Sequence, residues 1–161
     1  MREMRRFKQE LTQAECAAVL ERGTSGVLAV TGDGGYPYAV PLSYVWADGK
    51  LYFHCAMAGH KLDAIRADGR ASFCVIDQDQ IVPEEYTTYF RSVIVFGRAR
   101  VLDDPQEKRH AIEVLAAKYR PGFPEAMAAE IDGAWNRLCM VEPAAEQVTG
   151  KQAKELMGTG R

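Results

Sequence analysis

The residues best suited to chemistry fall within Gly35–Val75, GYPYAVPLSYVWADGKLYFHCAMAGHKLDAIRADGRASFCV. The run Lys50–Ala56 ends in His54-Cys55-Ala56, and a short gap then brings Gly59-His60-Lys61 at the mouth of a helical pattern. A glycine, a cation and the free amides of a helix start form a site for an anion such as phosphate. The lysine acts there as a point charge while the amides supply geometry. Strands alongside would give the anion's organic part a wall to lie against, so the segment reads as a cofactor pocket. His54 can donate or move a proton near neutral pH. Cys55 beside it raises thiol or metal chemistry, but adjacent strand residues point to opposite faces, so the two side chains diverge and no metal site is expected.

The elements that must position these residues are legible in outline. Thr12-Gln13-Ala14-Glu15 fits a capping box opening a first helix, which Gly23 stops. Gly26–Thr31 reads as a short buried strand and Asp33-Gly34-Gly35 as a turn. Tyr36–Trp46 is extended, since Pro37 and Pro41 exclude a helix. Pro41 in mid-run either turns backbone toward a ligand or simply marks an edge strand. Asp48-Gly49 is a hairpin turn into Lys50–Ala56, and Lys61–Ala67 is one short helix ended by Asp68-Gly69.

Ala71–Asp77 is a strand, and the polar Asp77–Glu85 a loop or bent strand end. Tyr86–Leu102, rich in Thr, Tyr, Phe and Val, suits a long strand in which Gly97 marks a bulge or a close backbone approach. Asp104-Pro105-Gln106-Glu107 starts a helix that Pro121-Gly122 closes, and Glu125–Ile131 is a second, shorter one. Leu138–Val148 is the last strand, followed by a frayed charged tail. The fold class is therefore mainly β with peripheral helices. An antiparallel barrel fits better than a doubly wound parallel sheet, because only one strand-helix-strand unit stands out.

A chain of 161 residues is most simply one domain, here residues 1–161 with a core from about 7 to 148. A formal charge of −2 disfavours bulk attraction to nucleic acid or an anionic membrane. No apolar run approaches the roughly 20 residues needed to span a bilayer. The charged start MREMRRFKQEL has no apolar signal core, so a cytoplasmic location is expected. Cys16, Cys55, Cys74 and Cys139 show no CxxC spacing and read as core thiols. Trp46, Tyr86, Tyr89 and Phe90 read as core or interface aromatics, His110 as surface, and Arg98 and Arg100 as a solvated face.

Four segments in order, Pro37–Ser43 (PYAVPLS), Leu51–Ala56 (LYFHCA), Gly59-His60-Lys61 and Ser92–Gly97 (SVIVFG), resemble the pyridoxamine 5′-phosphate oxidase-like FMN-binding split barrels. Within that superfamily the likeness is to the Nim-type 5-nitroimidazole reductase branch, and it extends over roughly Met4 to Glu142. The resemblance implies an antiparallel six-stranded split β-barrel that binds FMN at a homodimer interface. It implies that Gly59, His60 and Lys61 hold the phosphate and that backbone of Val40, Pro41, Leu42 and Ser43 meets the isoalloxazine edge. His54, with Cys55 and Ala56 adjoining, would lie close to the flavin, and His54 would act on the substrate. Tyr89, Ser92 and Ile94, and Trp135, would approach from the partner subunit.

The implied activity is reduction of a small flat acceptor, a nitroaromatic or a quinone-like compound, by hydride from reduced FMN, with a small-molecule electron donor. No Rossmann-type glycine fingerprint is present, so a nicotinamide donor would bind transiently at the flavin face. The alternatives are a haem-, deazaflavin- or flavin-binding module without that activity, and pyridoxamine 5′-phosphate oxidation. The tail AAEQVTGKQAKELMGTGR lacks the Arg-rich strand those oxidases use on their substrate phosphate, which speaks against the last.

Overall fold

A computed structural model describes residues 3–157. Its strands are β1 (Ser25–Thr31), β2 (Pro37–Ser43), β3 (Val45–Ala47), β4 (Lys50–Ala56), β5 (Arg70–Val82), β6 (Thr87–Val101) and β7 (Leu138–Gln152). Its α-helices are α1 (Gln13–Arg22), α2 (His60–Ala67), α3 (Pro105–Tyr119) and α4 (Pro124–Ala134). The strands form one sheet in the order β2-β1-β5-β6-β7-β4-β3, every neighbouring pair antiparallel. This is a split barrel with peripheral helices, of seven strands rather than the six expected. The extra one is β3, which only Tyr44 separates from β2. Because the chain passes from one sheet edge to the other through that residue, the sheet must curl until its edges meet there.

Alternation along the strands builds the interior. Leu28, Val30, Phe53, Phe73, Val75, Val93, Val95 and Val141 converge on one face, closed by Cys16, Val19 and Leu20 of α1 and by Leu62, Ala64 and Ile65 of α2. A second cluster lies on the other face of β3, β4 and β7, where Tyr52 and Met140 pack beneath Ala111, Ile112 and Leu115 of α3 and Ile131 of α4. β4 and β7 are thus covered on both sides. That is why LYF in β4 and Cys139–Pro143 in β7 are buried runs rather than alternating ones.

Helix starts agree with the sequence. Thr12 and Glu15 form the capping box of α1, and Asp104 accepts from the amides of Gln106 and Glu107 at α3. Gly97 is both a bulge and a close approach: the register shifts between Phe96 and Gly97, and a Cβ on Gly97 would collide with the Ala144 carbonyl oxygen.

Three expectations are corrected. The stretch after Asp77 continues as strand to Val82, because its partner Thr87–Arg91 offers a full antiparallel edge. Lys151 and Gln152, expected in a frayed tail, belong to β7, where they pair with Ser92 and Arg91. Beyond them Lys154–Leu156 form a short 3-10 turn, and residues 158–161 lie outside the described residues. Arg100 is not simply solvated: its guanidinium bonds Glu107 at 2.8 Å and the buried Glu142 at 3.3 Å, and Lys50 joins Glu142 at 3.1 Å. Arg98 remains largely exposed beside Glu146.

Asp77 occupies the bulge between Ile76 and Gln78. The extra residue turns its carboxylate onto the Arg22 guanidinium through two 2.6 Å bonds and onto Arg91 at 3.1 Å. The bond from Arg22 holds the Asp77 carboxyl below its ordinary value of 3.8 against an opposing effect of burial, and Arg91 adds to the lowering. A carboxyl depressed in the folded state contributes stability above the ordinary carboxylate range, and that contribution is lost as pH falls through the depressed value. Asp77→Asn should therefore be less stable than the parent at neutral pH, with the two converging on acidification below the carboxylate range. Urea unfolding at a series of pH values checks this, and a gap that stays constant down the series would contradict it.

Candidate functional site

The ladder between β3 and β4 pairs Ala47 with Lys50, Trp46 with Leu51 and Val45 with Tyr52, and stops there. Two residues further in the same register, Ser43 would stand opposite His54. Instead the strands part. β2 pairs only with β1, and past Tyr52 β4 pairs only with β7, so each leaves one edge unpaired along the opening. The barrel is split at this seam.

Tyr44 and Tyr119 hold the seam. The Tyr44 ring is fully buried, meets Phe73 edge-to-face at 5.0 Å, and donates its hydroxyl to the Leu20 carbonyl at 2.8 Å. Burial raises that hydroxyl's pKa, so it stays a donor. The Tyr119 hydroxyl accepts from the Tyr44 amide at 3.2 Å and lies 2.8 Å from the Tyr44 carbonyl and 2.6 Å from that of Thr24. Lys118 bonds the Gly23 carbonyl and sits 4.6 Å over the Tyr44 ring. The last turn of α3 thereby takes over the Tyr44 backbone groups, which the parting of the strands would otherwise leave without partners.

Ser43 and His54 line one cavity of about 450 Å³ above the seam, on the side of the sheet facing the helices. Its walls are Ile112, Leu115, Ala116 and Tyr119 of α3, and Ile131 and Ala134 of α4. His54 is exposed while its neighbours Phe53 and Cys55 are buried, so His54 and Cys55 do diverge. Cys55 faces the barrel core, where burial raises its thiol pKa against the opposing charge of Lys61. Cys139, directly opposite Cys55, lies 3.4 Å from the Met57 sulfur. All four cysteines are free, and burial pushes the Cys16 thiol up to about 11. Among the described residues no group of three or more His, Cys, Asp or Glu could hold a metal ion.

The remaining candidates are spread around this opening. Along β2, Tyr38, Val40 and Leu42 pack on the core, while Ala39, Pro41 and Ser43 are exposed. The strand therefore offers the opening its backbone edge and the side chains of Pro41 and Ser43. Ala56 shares the exposed face of β4 with His54. Gly59 has φ 133°, a conformation glycine adopts freely, and caps α2 with no side-chain hydrogen bond. Lys61 is half-buried and has no ion-pair partner among the described residues. His60 stacks on Tyr38 at 4.1 Å and accepts from the Asp33 amide at 3.3 Å, tying α2 to the β1–β2 turn.

Three candidates lie elsewhere within the chain. Tyr89 donates to Glu85 at 2.8 Å on the β5–β6 hairpin beyond the reach of β7, and Tyr86 at its tip is fully exposed. Ile94 lies with Phe96 in a separate groove beside Met4 and Phe7, and Ser92 on the same strand pairs with Ile76 and Lys151. Trp135 lies under the Lys108 ammonium at 4.3 Å, away from the His54 cavity, although the preceding Ala134 lines it. His110 is exposed, edge-on to Tyr52 at 6.4 Å. The helical walls were missed from sequence: Ile112, Leu115 and Tyr119 form a stripe that reads as core, and only the parting of the strands beneath turns part of it into a cavity lining.

The family model for pyridoxamine 5′-phosphate oxidase matches residues 12–152, and the chain belongs to that family. A solved FAD-binding protein from Mesorhizobium loti is 31% identical, with 90% of this chain and 97% of that one covered and a TM-score of 0.64. A conserved hypothetical protein from Mycobacterium tuberculosis shares the fold at 21% identity over 99% and 98% of the two chains, TM-score 0.82. A putative 5-nitroimidazole antibiotic resistance protein from Bacteroides thetaiotaomicron does so at 20% identity over 89% and 86%, TM-score 0.75. A comparison with curated proteins returns no match.

Removing the Tyr119 hydroxyl should loosen the seam. Tyr119→Phe is expected to lower stability by about 1 kcal/mol, the usual net value of a hydrogen bond with partners that water can reach. It should also speed exchange of the Tyr44 amide. Unchanged stability together with unchanged exchange at Tyr44 would show that the strands are held apart by other contacts.

Proposed function

We propose that the protein is a flavin-dependent oxidoreductase, a homodimer that binds FMN at the split and reduces a small flat acceptor such as a nitroaromatic or quinone-like compound. The observation that carries this reading is the split itself: two strand edges left unpaired at the opening, of which that of β4 leads within five residues of His54 to the start of α2, which has no side-chain cap. The Mesorhizobium loti relative is an FAD-binding protein, and FMN is the portion of FAD that such a site would hold.

The residues present fit that group. The α2 amides and the unpaired Lys61 suit a phosphate, with the helix start worth roughly 0.3–1 kcal/mol toward an anion. The free edges of β2 and β4 suit the polar rim of a planar ring, while Pro41 and Ala56 present small surfaces along it. When bound, the flavin supplies hydride chemistry that no side chain here can perform. His54 and Ser43 orient the acceptor, the imidazole giving a hydrogen bond or a proton from a ring nitrogen to an acceptor oxygen. The walls of α3 and α4 exclude water from the same space.

A second copy would bring its Tyr89, Ser92 and Ile94, and its Trp135, to the open side of the split, consistent with none of them lining the His54 cavity of their own chain. Pyridoxamine 5′-phosphate oxidation is disfavoured, because β7 carries no arginine to grip a substrate phosphate.

Lys61→Ala should weaken FMN binding about tenfold or more, as expected for loss of a charge-assisted contact, and leave the unfolding transition in place. Fluorescence titration of FMN checks the first and thermal unfolding the second. In the parent protein, oxidation of a reduced nicotinamide should depend on added nitroaromatic or quinone. Unchanged FMN affinity in the variant would remove Lys61 from the site, and donor oxidation indifferent to every acceptor would remove the reductase assignment.

A further inference from the structure

The cavity above the seam has a composition that selects its occupant. Ser43 and His54 line it, neither with a side-chain hydrogen-bond partner among the described residues. The other walls are aliphatic, from Ile112, Leu115, Ile131 and Leu138, together with Tyr119, whose hydroxyl is bonded to the Thr24 and Tyr44 carbonyls. Glu130, an exposed residue, is the one carboxylate in its lining. No lysine or arginine lines the space itself, although Arg120 lines the adjoining groove that shares Glu130 with it. Lys118 is turned onto the Gly23 carbonyl and the Tyr44 ring, and Arg120 lies 4.8 Å over the Phe123 ring.

An anionic ligand placed here would lose its hydration to hydrocarbon and meet a carboxylate, with no counter-charge in the lining to offset either cost. A neutral ring meets no such penalty. Its apolar surface would be buried between α3 and α4, and a single acceptor oxygen would take hydrogen bonds from Ser43 and His54. A volume of about 450 Å³ suits a one- or two-ring compound.

We infer that this cavity is the acceptor subsite and that it selects uncharged, largely apolar ring compounds carrying a hydrogen-bond acceptor at one end, and rejects phosphorylated or carboxylated ones. The inference rests on the proposed flavin reading for the word acceptor, but the charge selection follows from the walls alone. Ala116 of α3 and Ala134 of α4 both line the cavity, so a larger side chain at either would take up space within it.

The test is calorimetric titration of the full chain, with and without FMN, using two probes that share one ring system, 2-acetylnaphthalene and 2-naphthoate. It is run near pH 8, where the carboxyl of 2-naphthoate is fully ionised. The neutral ketone should bind at least about tenfold more tightly than the carboxylate. Ala134→Phe should lower ketone affinity by about tenfold or more, and Ala116→Phe, from α3, should do the same if the first variant does not fold. Equal or tighter binding of the carboxylate, or no binding of the ketone to the parent protein, would overturn the inference. So would ketone affinity that survives a folded variant at either position. FMN uptake is scored separately in the same samples. Ketone selectivity without FMN uptake would sink the flavin reading alone, and FMN uptake without ketone selectivity would sink this one alone.

Discussion

One residue joins the two edges of the sheet. Because β2 runs into β3 through Tyr44 alone, strands at opposite ends of the order β2-β1-β5-β6-β7-β4-β3 must come together, and the sheet has no choice but to curl. Tyr44 meets that constraint in three directions at once. Its ring fills the barrel interior against Phe73, its hydroxyl ties the end of α1, and its backbone is bonded by the Tyr119 hydroxyl at the end of α3. A polar ring tip in a closed core would be costly without a partner, and the Leu20 carbonyl supplies it. Both helices are positioned by the same point.

The functional geometry follows from how that joint is made. Had the β3–β4 register continued, Ser43 and His54 would be an ordinary cross-strand pair beneath α3. With the Tyr44 backbone bonded to a side chain instead of to β4, the strands part and the two residues face a cavity. The parting also leaves two lengths of backbone edge without ladder partners, and α2 begins a few residues beyond one of them. The start of α2, two free lengths of backbone edge and a pair of polar side chains thus lie along one seam. The aliphatic roof exists because β4 and β7 are covered on both faces, and the cover stops short at His54.

Local rules carried the sequence reading a long way. The caps at Thr12 and Asp104, the turn at Asp48-Gly49 and the anomaly at Gly97 each depend on a few neighbouring residues, and each appears where those residues place it. His54 was separable from Cys55 by strand alternation alone. What could not be read locally was the consequence of distant contacts. Tyr36–Trp46 reads as one extended run because nothing in it shows that Tyr44 will be bonded by a tyrosine 75 residues away. Polarity hid the strand beyond Asp77, whose partner strand and arginines come from elsewhere in the chain. Arg100 looked solvated because its buried partner Glu142 lies on β7. The cavity walls read as core for the same reason. The family likeness placed a flavin where spacing alone could suggest only an anion site.

The central claim is that the seam between β2 and β4 is a flavin site, and it is tested most directly by the absorbance spectrum of the purified protein followed by heat release of any bound chromophore. The account predicts a two-band yellow spectrum and free FMN in the supernatant, or the same bands on adding FMN to colourless protein. A protein that stays colourless with FMN and FAD but develops a Soret band with haemin would contradict it.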